Sequence, residues 1–194
     1  MGEQKLANYE VLVCLTGGIA CYKVATLVSR LVQAGAGVSA AMSAGAQRFI
    51  TPLTFQSLTG RRVFTDLWDS TEQYDPQHIA LTDRADLMII APATANIIGK
   101  IASGIADELV SALAMTAGGA CPILLAPSMN TRMWESPAVA ANLETLKKRG
   151  LHTVGPGEGW LACRTVGKGR MAEPEEILAA AVELMKQRPA KAQA

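Results

Sequence analysis

A chain of 194 residues, 49% hydrophobic and 18% charged, has the length and apolar content for one domain with a substantial core. Eighteen Lys and Arg against 17 Asp and Glu leave a formal net charge of +1 with no basic run, which argues against a nucleic-acid partner. Glu3, Lys5, Asn8 and Glu10 interrupt any apolar leader, and no stretch approaches the ~20 apolar residues of a membrane span, so the cytoplasm is the expected compartment.

Residues 11–15 read as a buried strand, and 19–33 as a helix with apolar residues at helical spacing. Thr16-Gly17-Gly18-Ile19-Ala20 joins them. Glycines at such a turn let the backbone approach a ligand, and the helix start favours an anion. The turn is not a full G-x-G-x-x-G and alone signals only a tight strand-to-helix connection. Gly35 and Gly37 flank the helix end, and 38–42 make a second strand leading into Ser43-Ala44-Gly45. Residues 47–58 look helical with Gly60 as a stop, and 62–64 give a short strand-like piece in an aromatic and acidic stretch. Strand 87–91 runs into Thr94-Ala95-Asn96, then a helical pattern extends over 95–117, broken near Gly104.

Strand 121–125 opens onto A-P-S-M-N-T-R-M-W at 126–134. Asn130 supplies a donor and an acceptor together, suited to gripping an amide or carboxylate. A turn followed by a helix cap accounts for Pro127 and Ser128 but does not call for Asn, Met and Trp at these spacings. Helix 138–149, a short strand at 151–154 and helix 173–187 complete the pattern, and the Pro/Ala/Lys tail 188–194 is expected to fray. One domain is therefore expected over 8–187.

Alternating β and α elements with strongly apolar strands predict a Rossmann-like three-layer α/β/α sandwich with a parallel sheet of about six strands. The loops after the strands converge on the carboxyl edge of the sheet, where ligands bind in such folds. Hydroxyls, amides and helix starts there suit a phosphate and a flat heterocycle. The chain lacks a P-loop Lys-Ser/Thr pair and an Asp dyad, so a mononucleotide such as flavin fits better than ATP.

Four cysteines and two histidines include no C-x-x-C pair, so no metal site is expected. Cys14 and Cys121 lie in apolar strands and Cys21 in the first helical turn, all readable as packing. Cys163 differs. It stands in G-W-L-A-C-R-T-V-G-K-G-R-M at 159–171, where three glycines and three cations surround it. Such a loop is suited to closing over a ligand, which makes Cys163 the candidate reactive thiol.

Taken in order, T-G-G-I-A-C-Y-K, H-I-A-L, A-P-A-T-A-N-I-I-G-K, A-P-S-M-N-T-R-M-W and L-A-C-R-T-V-G-K-G-R-M resemble the flavin-containing cysteine decarboxylases over nearly the whole chain. The resemblance implies an FMN enzyme of coenzyme A biosynthesis that releases CO2 from 4′-phosphopantothenoylcysteine to give 4′-phosphopantetheine. By family match, Gly17, Gly18 and Ile19 lie against FMN, while Ser43 and the Thr94-Ala95-Asn96-Ile97 turn hold its ribityl and phosphate groups, with Ser128 nearby. His78 matches the catalytic His, Asn130 the substrate-gripping Asn and Cys163 the proton donor. Ala162 and Met171 fall where the Cys flap contacts substrate. The family chemistry oxidises the substrate thiol to a thioaldehyde, loses CO2 to an enethiolate, and then re-reduces and protonates it.

Family members form trimers or trimer-based dodecamers, and a ligase activity found in some relatives is expected on a separate chain or removed domain. The family pattern at the flap is Ala-Cys-Gly-Asp, and here Arg164-Thr165 follows Ala162-Cys163. That exchange removes a flexible Gly and a negative charge beside the thiol. The alternatives are a peptidyl-cysteine decarboxylase and a non-catalytic flavin-binding regulatory subunit.

Overall fold

The computed structural model describes residues 5–68, 77–187 and 190–191, the side chains of Gln77 and His78 excepted. Six parallel strands form the central sheet: β1 (Glu10–Leu15), β2 (Gly37–Met42), β3 (Val63–Phe64), β4 (Leu87–Ala93), β5 (Ile123–Pro127) and β6 (His152–Thr153). Their order is β3-β2-β1-β4-β5-β6, that of a doubly wound Rossmann-like sheet, as the alternating pattern predicts.

The apolar runs are buried on both faces, with side chains alternating between two cores. Val11, Val13 and Leu15 of β1 join one core with helices α1 (Cys21–Gln33), α2 (Pro52–Thr59) and α8 (Pro174–Lys186). Leu12 and Cys14 join the other, against α4 (Ala95–Ser103) and α5 (Leu109–Ala117). Helices α3 (Gln77–Arg84), α6 (Thr131–Trp134) and α7 (Pro137–Lys148) complete the helical set among the described residues. Seven of the nine residues of α5 are buried, so its apolar character marks depth more than one face.

Several boundaries move for local reasons. The expected helix over 47–58 is a 3-10 turn (Ala46–Arg48) followed by α2. Pro52 starts α2, and Thr51 before it is extended, as a residue preceding proline prefers. The first helix begins at Cys21, with residues 18–20 forming a tight turn through Cys21 N–H to Gly18 O. The helical pattern over 95–117 divides into α4 and α5, with Gly104 left-handed at the end of α4.

The largest difference lies at 159–171. The expected flexible loop is an antiparallel hairpin of β7 (Gly157–Trp160) and β8 (Val166–Arg170). In the tail, Lys191 is held against the C-terminus of α3. Its N–H donates to Asp86 Oδ1 at 2.7 Å and its Nζ to Asp83 O at 2.9 Å.

Candidate functional site

β1 and β4 are neighbours, and the chain leaves β1 toward β2 on one side and β4 toward β5 on the other, which opens a crevice at the carboxyl ends of β1 and β4. A cavity of about 780 Å³ occupies this crevice, within the range of small-molecule sites. Thr16, Gly17, Gly18 and Ile19 line it after β1, Ser43 and Gly45 after β2, and Thr94, Ala95 and Asn96 after β4. Ser128, Met129 and Asn130 after β5 also border it, as do Ala162, Cys163 and Met171 of the hairpin segment. The structure therefore brings together most of the residues singled out in the sequence.

Polar contacts fix these loops to one another. Thr16 Oγ1 donates to Pro92 O at 2.6 Å and accepts from Thr94 N–H at 3.2 Å, tying the β1 and β4 turns together. Gly17 and Gly45 meet backbone to backbone. A Cβ on Gly17 would lie 3.1 Å from Gly45 Cα, so both turns depend on having no side chain there. Ser43 is buried and its Oγ accepts from Ala46 N–H at 3.2 Å. Cys21 Sγ donates to Thr16 O at 3.3 Å, and burial pushes its thiol pKa up, which suits packing rather than reaction.

Thr94 caps α4 by accepting from Ile97 N–H at 3.4 Å. The Ile97 side chain is fully buried in the core beneath α4, so what this residue presents at the helix start is its backbone N–H. Asn130 is both a cavity residue and a helix cap: its Oδ1 accepts from Met133 N–H at 2.9 Å and starts α6. Capping is thus part of the role of this Asn, and its two amide donors together with the second lone pair of its oxygen remain for a ligand.

At the tip of the hairpin, Arg164 N–H donates to Leu161 O at 2.9 Å and Leu161 N–H to Thr165 O at 2.8 Å. This is a three-residue turn with a bulge, and Arg164 takes its left-handed position at φ +64°. Cys163 is exposed, and its Sγ lies 3.1 Å from Thr165 Oγ1. The hairpin is not free of the body, because Met129 N–H donates to Gly169 O at 3.0 Å. Met171, which follows the hairpin, borders the cavity while packing into the core at 1% exposure. His78 falls in the first turn of α3, and its side chain lies outside the described part of the structure.

Lys23, Glu108 and Arg170, to which the sequence reading gave no ligand role, also line the cavity. Glu108 caps α5 in a capping box with Ser111 and pairs with Lys100 at 3.3 Å. Asp107 also pairs with Lys100, at 2.8 Å, and that bond holds its carboxyl below the usual range. Among the described residues no group of three or more His, Cys, Asp or Glu is placed to hold a metal ion, and no helix is long and apolar enough to cross a membrane.

The sheet order, the cavity at its switch point and the turns around it define a mononucleotide-binding α/β domain. The chain belongs to the flavoprotein family, whose model matches residues 2–186. Over 173 residues it is 47% identical to the coenzyme A biosynthesis bifunctional protein CoaBC of Bacillus subtilis, which covers 89% of this chain and 42% of that protein. The chain thus spans less than half the length of this relative.

Among solved structures it resembles a mutant PPC decarboxylase complexed with pantothenoylaminoethenethiol. That match has a TM-score of 0.82 and 29% identity, and covers 93% of this chain and 99% of that one. It also resembles the FMN binding protein AtHal3, with a TM-score of 0.81 and 29% identity, covering 94% and 99%.

Proposed function

We propose that this chain is an FMN-dependent decarboxylase of 4′-phosphopantothenoylcysteine, yielding 4′-phosphopantetheine for coenzyme A biosynthesis. One observation carries the reading: the glycine turn, the capped start of α4, the Asn130 cap and the Cys163 hairpin border a single cavity. Similarity to CoaBC and to a PPC decarboxylase supports it.

The residues present fit FMN. The touching glycines Gly17 and Gly45 let the β1 and β2 turns close against each other at the cavity edge, where a flat ring would meet backbone in place of side chains. The Thr94-Ala95-Asn96 turn opens α4, a helix start that favours a phosphate. Ser43 and Ser128 border the same space and suit a ribityl chain. Flavin held by these turns would supply the reversible two-electron redox chemistry at the thiol-bearing carbon that a cysteine carboxylate needs in order to lose CO2.

The chain's own residues bind, orient and protonate. Asn130 is oriented by the bond of its oxygen to the cap of α6, which leaves both amide N–H groups to orient the substrate's acceptor atoms. Ala162 and Met171 shape the wall beside the thiol. Cys163 Sγ carries the proton delivered to the product carbon, and Thr165 Oγ1 at 3.1 Å holds the thiol in place. His78 is assigned to substrate thiol deprotonation or carboxylate positioning on family resemblance alone.

Ile19 and Tyr22 border the cavity yet are 55% and 63% exposed, which supports closure of the site by another copy in a trimer or trimer-based dodecamer.

The test is a visible spectrum of the purified protein, followed by addition of 4′-phosphopantothenoylcysteine with CO2 and product measured by mass spectrometry. A yellow protein that forms 4′-phosphopantetheine is expected. A yellow protein inert to this substrate points to a peptide C-terminus or a regulatory role. A colourless protein that stays inactive with added FMN sinks the reading.

A further inference from the structure

Three charged side chains line the cavity, Lys23, Glu108 and Arg170. Glu108 is already engaged by Lys100 and by its helix cap. Lys23 and Arg170 instead converge on a single carboxylate. Lys23 Nζ donates to Glu173 Oε1 at 2.9 Å, and Arg170 Nη2 bonds the same oxygen.

The side chain of Lys23 is only 10% exposed, a depth at which lysine is rare without a charged partner. Its one carboxylate is shared, so two positive charges face one negative and the triad keeps a net positive charge at the cavity wall. Most of the ammonium and guanidinium donors are left for a ligand. Glu173 is fixed in turn, because its backbone N–H donates to Glu176 Oε2 at 2.7 Å in the capping box of α8. The two cations are therefore held in place before any ligand arrives.

In the decarboxylase reading above, the FMN phosphate is assigned to the start of α4, which Thr94 caps. Neither Lys23 nor Arg170 belongs to that turn. We propose that Lys23 and Arg170, held together by Glu173, form the subsite for the substrate's phosphomonoester and set the preference for phosphorylated over unphosphorylated cysteine-terminated substrates. A dianion matches the unbalanced charge and takes charge-assisted hydrogen bonds from both groups. The assignment rests on the decarboxylase reading above.

The measurement is kcat/KM of the FMN-loaded protein on 4′-phosphopantothenoylcysteine divided by that on pantothenoylcysteine, for wild type, Lys23→Gln, Lys23→Arg and Arg170→Gln. FMN affinity is titrated alongside by flavin fluorescence. The ratio is expected to fall by about tenfold or more in Lys23→Gln, the loss of one charge-assisted contact, and to recover in part in Lys23→Arg. Arg170 is 43% exposed, so Arg170→Gln carries the same test should Lys23→Gln fail to fold.

An unchanged ratio overturns the subsite. If both substrates then slow together, the triad is a structural latch, and if FMN affinity drops instead, the cations serve the cofactor's phosphate. Absence of turnover on either substrate by the wild type overturns the decarboxylase reading and the subsite with it, whereas turnover with an unchanged ratio overturns the subsite alone.

Discussion

Arg164 shows how one residue retains a turn whose shape favours another. Among the described residues, the only non-glycine positions with positive φ are Asn8 and Arg164. Asn tolerates that region, but an arginine there holds Cβ against the following carbonyl at a cost of roughly 1–2 kcal/mol. The bulge position it occupies is one where Gly is preferred, and Gly is what the family pattern carries there. The departure from that pattern therefore leaves the backbone path of the Cys163 turn in place and adds local strain. Arg164→Gly should relieve the strain while giving back some unfolded-state entropy, for a net gain of about 0.5–1 kcal/mol. For a chain of this size that corresponds to a rise in Tm of about 1–4 °C, read by calorimetry. A lower Tm would mean that the arginine side chain makes a contact worth more than the strain.

At the scale of elements, β8 is pressed onto the segment that carries Asn130. A Cβ on Gly169 would meet Met129 O at 2.2 Å, and one on Gly167 would meet Thr131 Oγ1 at 2.4 Å. The two glycines let the hairpin reach the Met129–Asn130 backbone, so the strand that follows the thiol turn is clamped to the segment that carries the Asn cap. Gly169→Ala should cost about 2 kcal/mol or more, from the backbone clash and the unfavourable φ of +126° together. Gly104→Ala provides the comparison, because it has a left-handed φ of +72° and nothing within 4 Å of a Cβ, so it should cost only about 1 kcal/mol. Equal shifts in urea midpoints would show that the hairpin is not clamped.

This clamp also explains what the sequence did and did not disclose. β1, β4 and β5 were legible because their residues are buried on both faces and read as unbroken apolar runs. β7 and β8 were not, since nearly every residue in them is exposed or half-buried and they carry no apolar alternation. Their order comes from pairing with each other and from backbone contact with Met129, which leaves no trace in hydropathy. Lys23 was given no ligand role for a related reason: its partner Glu173 lies 150 residues further along the chain.

Across the whole molecule, the two ends of the sheet have different tasks. The carboxyl end opens into the cavity, and the amino end is closed by a charge network centred on Glu10, which is 8% exposed. Arg61 Nη2 donates to Glu10 Oε1 at 2.9 Å while its Nη1 bonds Oε2, and Arg84 lies 3.3 Å from Oε2. Glu10 N–H donates to Asp86 Oδ2 at 2.7 Å, and Asp86 also receives Lys191 N–H. β1, the end of α3 and the tail are thereby joined away from the chemistry.

The hydrogen bond from Arg61 holds the Glu10 carboxyl below the ordinary glutamate range, with burial opposing it and the charge of Arg61 and Arg84 adding to it. A carboxyl with a lower pKa folded than unfolded stabilises the fold fully above its unfolded value, near about 4.3, and loses that contribution as pH falls through the folded value. Asp107 and Glu173 shift in the same direction, but Asp107 stands in solvent and Glu173 is only half-buried, so their pairs contribute less. Glu10→Gln should therefore lower stability at pH 7 by about 1–2 kcal/mol, less than for a fully buried pair because Arg61 is 34% exposed. The gap between variant and wild type should narrow as pH falls below about 4.3, because the protonated wild-type carboxyl then offers the arginines no more than the amide does. Urea unfolding at pH 7 and at pH 3 measures both gaps, and a gap of the same size at the two pH values would remove Glu10 as the group that ties the sheet's amino end to acid stability.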